Sequence, residues 1–416
     1  MALKLALAHY SSPTDISGVT TWFQKLAVRL RNDGVNLAVH LHHFGRDPND
    51  ASILPFLKDV GVPFEVVLRQ GSLRADVLQT LRFLDRYQPT LFLPQCLNAH
   101  YFAAAIAGKQ GVPWALTMHS DDPDYWAIAE VRPPESFGGK MVCVSEHIAG
   151  LATRRRLALA PDVIAYGVEA PECKAGFNCR TFRVVYCGRL VETQKRMSLV
   201  IATLIAACRS GPSIVATVIG DGPSLTNCRE VVEMAGLAQR ITFSGRLAPQ
   251  QVKNELLTCQ AIVLMSDFEG LPVALLEAMA VGVVPVVRTI PSGIPELVLH
   301  ERTGLLVDDQ PTNAASALVR LAGDPDLWEC CSQAGRELVL RRYSEEACYR
   351  RWLSVIHELD SRSAVRYPLR APLRFALPEG DPRFTAGYPP YRPPWVRVAE
   401  RLKNRLRMAA RVVLRK

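Results

Sequence analysis

The chain has 416 residues, 49% hydrophobic and 21% charged, which predicts two or three globular domains with real cores. Its eleven cysteines have no paired spacing, no Cys/His cluster has zinc-finger spacing, and no apolar run reaches the roughly 18 residues of a membrane span. Those counts argue against a disulfide scaffold, a zinc module and an integral membrane protein. The net charge of +9 is uneven: residues 361–416 carry 14 Lys/Arg against 3 Asp/Glu, so the other 360 residues sum to −2.

The N-terminal "LKLALAHY" (3–10) is too short for a secretory signal and reads as a first buried strand, followed by the helix-like "GVTTWFQKLAVRLRNDG" (18–34). "VNLAVHLHHF" (35–44) is a second strand. "PTLFLP" (89–94) and "PWALTMH" (113–119) bracket a helix over "NAHYFAAAIAGKQG", and "MVCVS" (141–145) is a further strand. A break falls near 167–182. The alternation then restarts: "RVVYCGRL" (183–190), a helix over "MSLVIATLIAACRS", "ATVIGDG" (216–222), "RITFSG" (240–245), "AIVLMS" (261–266) and "VVPVV" (283–287). Strand–helix alternation predicts α/β architecture with two Rossmann-like, doubly wound parallel sheets.

The boundaries expected are 1–168 for a first Rossmann-like domain, 169–182 for a linker, 183–343 for a second Rossmann-like domain and 344–360 for a closing amphipathic helix. Residues 361–394 read as an extended linker, with eight prolines between Tyr367 and Pro394. In the last stretch, 395–416, Trp395, Val398, Leu402, Leu406, Ala409 and Val413 recur at helical spacing among basic residues. That pattern suits an interfacial helix on anionic lipid, and equally a helix docked on the protein itself. Nucleic-acid binding is not expected, because no interleaved aromatics or known module accompany the charge.

The stretch "SDFEGLPVALLEAMAVGVVPVV" (266–287) carries two glutamates in an apolar run. Pro272 suits a helix start, and Gly282 suits its end. A helix N-terminus at the carboxyl end of a parallel strand is a site for phosphate. Eight residues separate Glu269 from Glu277, about 12 Å along a helix. A glycosidase pair needs carboxyls closer than about 10 Å, so the spacing suits one elongated ligand touched twice. In "VVYCGRLVETQKR" a strand runs into Gly188, with Arg189 and Lys195 following. Two cations beside that helix start would make a diphosphate site, or a solvated charge cluster. Gly18 opens the first helix. His119 lies just past a strand end and is either structural or functional. His40 and His42 share one strand face, a weak metal candidate. "TRRRLAL" (153–159) reads as a solvated helix face.

Together these motifs resemble the retaining glycosyltransferases of the GT-B fold, glycosyltransferase family 4. The E-x(7)-E motif matches Glu269 and Glu277, the Gly-Arg-Leu…Lys element matches "CGRLVETQKR", and "GIPELV…TGLLV" (293–307), "VIGDGP" and "FSGRL" are also typical. The likeness covers roughly residues 1–360. It implies that Arg189 and Lys195 hold the donor diphosphate and that Glu269 meets the sugar hydroxyls beside the amides of Gly270 and Leu271. Glu277 would take the ribose, Gly18 and Gly188 would let backbone approach the phosphates, and His119 would contact the sugar. Backbone near Ser244–Arg246 would border the base, and Glu296 would be structural. Two departures stand out: Ser17-Gly18 replaces the family's glycine pair, and Tyr166 replaces a frequent asparagine.

The resemblance implies transfer, with retention, of a hexosyl group from a UDP- or GDP-linked donor to a glycolipid or polysaccharide acceptor. No metal and no cofactor is implied. The expected setting is cytoplasmic, with the basic tail on the inner face of a membrane. Epimerases or phosphorylases of the same fold, and a non-catalytic scaffold acting through the tail, are the alternatives.

Overall fold

The computed structural model describes residues 3–370 apart from 14–16, 70, 158–159 and 170, together with 377, 378 and 384. The first domain contains β1 (Lys4–Ser11), β2 (Asn36–His43), β3 (Phe64–Leu68), β4 (Leu91–Pro94), β5 (Trp114–Met118), β6 (Gly139–Cys143) and β7 (Asp162–Val163). They form one seven-stranded sheet in the order β3-β2-β1-β4-β5-β6-β7, parallel throughout. The second contains β8 (Phe182–Cys187), β9 (Ile214–Ile219), β10 (Ile241–Gly245), β11 (Ala261–Leu264), β12 (Val284–Arg288) and β13 (Leu305–Val307). Its six strands run parallel in the order β10-β9-β8-β11-β12-β13. Both sheets reverse direction of winding beside their first strand, between β1 and β4 and between β8 and β11. In such sheets ligands bind outside the carboxyl ends of the strands at that reversal.

The central strands are buried on both faces, as helices on either side of a parallel sheet require. Leu5, Leu7, Phe92, Trp114, Val184, Tyr186 and Val263 are fully covered. The helix Gly18–Asn32 buries Trp22, Phe23, Leu26, Ala27 and Leu30 at helical spacing. Each such large side chain contributes about 1.5–3 kcal/mol of burial. Ser17 caps that helix, its Oγ accepting from the Thr20 N–H at 3.1 Å. The departure from the family's glycine pair therefore gives the helix a cap, a role glycine fills without a side-chain oxygen.

β3, β7 and β13 have no counterpart in the sequence reading. All three are short, and β3 is only partly buried along its length. β3 (FEVVL) and β13 (LLV) are apolar but only five and three residues long, and β7 is two residues, too short for a pattern to stand out. The helix expected to open at Pro272 starts one residue later: Pro272 is its N-cap and Val273 its first residue.

The helix Glu345–Ser361, capped by Ser344, returns to the first domain. Trp352 packs against Trp22 with ring centroids 5.3 Å apart, Tyr349 donates to Asp33 at 2.7 Å, and Lys140 bridges Glu358 and Asp162. Of the Pro-rich stretch expected to be an extended linker, the described residues up to Arg370 pack on the first domain. Tyr367 Oη donates to the Pro89 carbonyl, the Leu369 amide to Asp85, and Arg370 exchanges hydrogen bonds with Gln110. Its first part is thus strapped to the first domain. The predicted helix over 395–416 lies outside the described residues. Among the described residues, no helix is long and apolar enough to cross a membrane.

Candidate active site

The predicted site residues converge on the carboxyl edges of the two sheets. β8 ends at Cys187, and Gly188 and Arg189 follow in the loop. Tyr186, buried in β8, donates its hydroxyl to the Arg189 carbonyl at 2.8 Å and fixes the loop from beneath. Arg189 is exposed and donates to Gln194 Oε1 at 2.7 Å, while Gln194 in turn donates to the Phe268 carbonyl. Lys195 ends the short helix Glu192–Lys195 and donates from Nζ to Glu269 Oε1 at 2.5 Å. Both partners of this pair are nearly covered. The sequence reading gave Lys195 to the diphosphate and Glu269 to the sugar; in the structure they are ion-paired to each other. Each would have to loosen from the other, or share, to meet a ligand.

The loop after β11 passes through Glu269, Gly270 and Leu271 to the helix Val273–Ala280. Gly270 is a point of close approach between the domains. A Cβ there would lie 2.1 Å from the His119 carbonyl oxygen, so only glycine fits. The Gly293 amide also donates to the Gly270 carbonyl at 2.8 Å. Gly18 plays a matching part from the other side, since a Cβ on it would meet Val273 Cγ2 at 2.8 Å. The starts of the two helices Gly18–Asn32 and Val273–Ala280 therefore lie against one another.

Glu277 is half-buried in the second of these helices. Loss of water raises its carboxyl above the ordinary range, and the nearby Lys25 only partly offsets this. Its carboxylate has no hydrogen-bond partner among the described residues, which leaves it available to a hydroxyl-bearing ligand. Ser244 is exposed at the end of β10, the edge strand two places from β8.

His119 is buried, and both ring nitrogens are engaged. Nε2 meets Gln95 Oε1 at 2.7 Å, and Nδ1 meets the Tyr166 hydroxyl at 2.7 Å. The network assigns the proton to Nε2, with Tyr166 donating to Nδ1. Burial lowers the ring's pKa to about 3, so it is neutral. Trp22 closes the pocket edge-on at 5.4 Å. As placed, the ring offers a ligand no free nitrogen.

Gln95, Tyr166, Tyr186 and Gln194 were not found as site residues from the sequence. Gln95 follows a strand end, and Tyr166 was noted only as a departure; both signals became legible once β4 and the segment after β7 were placed together. Glu296, expected to be structural, crosses the cleft. Its carboxylate accepts the backbone N–H groups of Glu146 and His147, at 3.2 and 2.9 Å, at the start of the helix Glu146–Arg154 in the first domain. A carboxylate at a helix N-terminus is favoured by both unpaired donors and dipole.

Residues 181–324 match the family model described as glycosyl transferases group 1. The chain is 36% identical over 170 residues to a putative colanic acid biosynthesis glycosyltransferase, WcaL, of Salmonella typhimurium, a match covering 37% of this chain and 41% of that protein. It thus spans about two fifths of the length of that relative. It is 26% identical over 389 residues to the amylovoran biosynthesis glycosyltransferase AmsK of Erwinia amylovora, covering 85% and 86% of the two chains. Among solved structures, Anabaena HepE in complex with UDP and glucose superposes with a TM-score of 0.71 at 18% identity, covering 85% of this chain and 99% of that one. The protein therefore has the GT-B fold. The match to the glycosyl transferases group 1 model falls on its second domain.

Proposed function

We propose that the protein is a glycosyltransferase that moves a hexosyl group from a nucleotide-diphospho-sugar to a glycan or lipid-linked acceptor, with retention. The observation that carries this is the Lys195–Glu269 pair at the mouth of the helix Val273–Ala280, with the unpartnered Glu277 carboxylate along the same helix. The donor diphosphate would take Lys195 and Arg189, freeing Glu269 for sugar hydroxyls, and the ribose would take Glu277. Negative charge developing on the leaving diphosphate would be stabilised by the two cations and the helix amides. As the family resemblance implies, no side-chain nucleophile would be needed, and the leaving phosphate would help deprotonate the acceptor. The relatives WcaL and AmsK, named for colanic acid and amylovoran biosynthesis, support a polysaccharide or lipid-linked acceptor. The bound UDP of HepE supports a UDP-linked donor, and GDP remains the second choice.

Thermal shift against UDP, GDP, ADP, CMP and their sugar conjugates, without added metal, tests this. A ligand at 100 times its dissociation constant stabilises by about 2.7 kcal/mol. One nucleotide series should shift the melt, and Lys195→Ala should lose well over 1 kcal/mol of that affinity. No shift with any nucleotide would remove the donor site.

A further inference from the structure

His40 and His42 lie two apart on β2 and so face the same way, and the helix Asn98–Gly108 lays His100 against them. All three rings are fully buried, and one nitrogen from each lies within 4.8 Å of the others. Among the described residues no other such group occurs.

The hydrogen bonds around these rings conflict. His42 Nε2 faces acceptors, Gln79 Oε1 at 3.2 Å and the buried Asp76 carboxylate at 3.9 Å, so it carries the proton and Nδ1 is a bare lone pair. Turning the Gln79 amide would leave Asp76 facing the same nitrogen. His42 Nδ1 lies 2.8 Å from His100 Nε2. If His100 protonates Nε2 to satisfy it, its Nδ1 lone pair faces the Gln95 carbonyl at 3.5 Å. If His100 protonates Nδ1 instead, two lone pairs meet at 2.8 Å. His40 adds a third nitrogen, Nδ1, buried and without a partner. The best set of neutral tautomers, with Nε2 protonated on both His42 and His100, still leaves the His100 Nδ1 and His40 Nδ1 lone pairs buried without a donor.

We infer that His40, His42 and His100 form a buried binding site for a transition-metal dication of the zinc class, ligated by one nitrogen of each ring. A cation turns the opposed lone pairs into ligands. Each ring's other nitrogen then has its outer partner: Thr80 for His40, Gln79 and Asp76 for His42, the Gln95 carbonyl for His100. Such partners fix tautomer and orientation around metal-bound histidines. Tetrahedral Zn–N bonds of about 2.0–2.1 Å place ligand nitrogens about 3.3 Å apart, so His42 and His100 need part by only about half an ångström. Water would take the fourth position. The metal would pin β2 to the helix Asn98–Gly108 and, through Gln95, stiffen the residue that holds His119.

The test is metal analysis of the untagged full-length chain expressed with zinc, followed by the visible spectrum of the cobalt-exchanged protein. About one equivalent of zinc and the intense bands of four-coordinate cobalt with nitrogen ligands are expected. His42→Gln and His100→Gln should lose at least about 10-fold of the bound metal, and Gln79→Ala about as much affinity. Replacing the exposed His300 by Gln should change nothing. Substoichiometric metal in the intact chain, or equal metal in the His42 and His100 variants, would overturn the assignment. Should those variants not fold, X-ray absorption of the zinc-loaded intact chain decides: a sulfur shell from the eleven cysteines overturns the site, and a histidine shell upholds it.

Discussion

Glu277 is held partly out of water with no hydrogen-bond partner among the described residues, so its raised pKa reports a carboxylate kept at a cost to the unliganded fold. The neutral form is favoured in the folded state. Its contribution is fully present below the ordinary carboxylate value of 4.5 and is lost as pH rises through the raised one. Glu277→Gln should therefore melt higher than the parent at pH 7, with the difference fading below about pH 4.5. The same variant should bind the donor more weakly by about 1.5–3 kcal/mol, the worth of a hydrogen bond to a charged group. Calorimetry of both properties on one sample separates them, and unchanged donor affinity would take Glu277 out of the site. Tyr166→Phe makes a complementary test. It deletes the donor to His119 Nδ1 and leaves a buried acceptor unpaired, at about 1–3 kcal/mol of stability. Unchanged stability would mean that the His119–Tyr166 bond is not formed in solution.

At the scale of elements, the loop before the helix Val273–Ala280 does two things. It places Glu269 against Lys195, and it brings Gly270 onto the His119 carbonyl. Gly270→Ala should prevent that approach without touching either sheet. We expect a loss of transfer on the order of 10-fold or more with little change in melting temperature, since cleft closure rather than core packing is affected. Equal turnover would show that the domains do not need this approach. The loop's local make-up was legible; its two contacts were not. Strand, turn, proline and amphipathic helix are local patterns, and the two glutamates stand out in an apolar run. That Lys195 and Glu269 are partners was not legible, because 74 residues separate them and nothing local encodes the pairing. For the same reason Gln95 and Tyr166 passed unnoticed beside His119: each sits at the end of a different strand of one sheet.

At the scale of the molecule, the chain returns to its beginning. The helix Glu345–Ser361 and the strap to Arg370 both pack on the first domain, and Phe384 packs edge-on against Phe102. A liposome test by truncation must respect this. A chain ending after residue 394 keeps every described contact and removes only the basic stretch 395–416. We expect it to melt as the parent does and to lose co-sedimentation with anionic vesicles. Retained binding would place the membrane contact, if any, elsewhere. A chain ending after residue 360 should also melt lower, because it loses the bonds to Pro89, Asp85 and Gln110.

By itself the sequence determined the two parallel-sheet domains, the break between them, and the stations of Gly188, Arg189, Lys195, Glu269 and Glu277 along the chain. Periodicity and strand-end chemistry are properties of neighbouring residues and survive in one dimension. Only the tertiary structure decided which of those side chains meet, which backbone atoms demand glycine, and that His100 joins His40 and His42. Each depends on the strand order and on the packing of helices against sheet faces, which bring residues together across separations that no local pattern records.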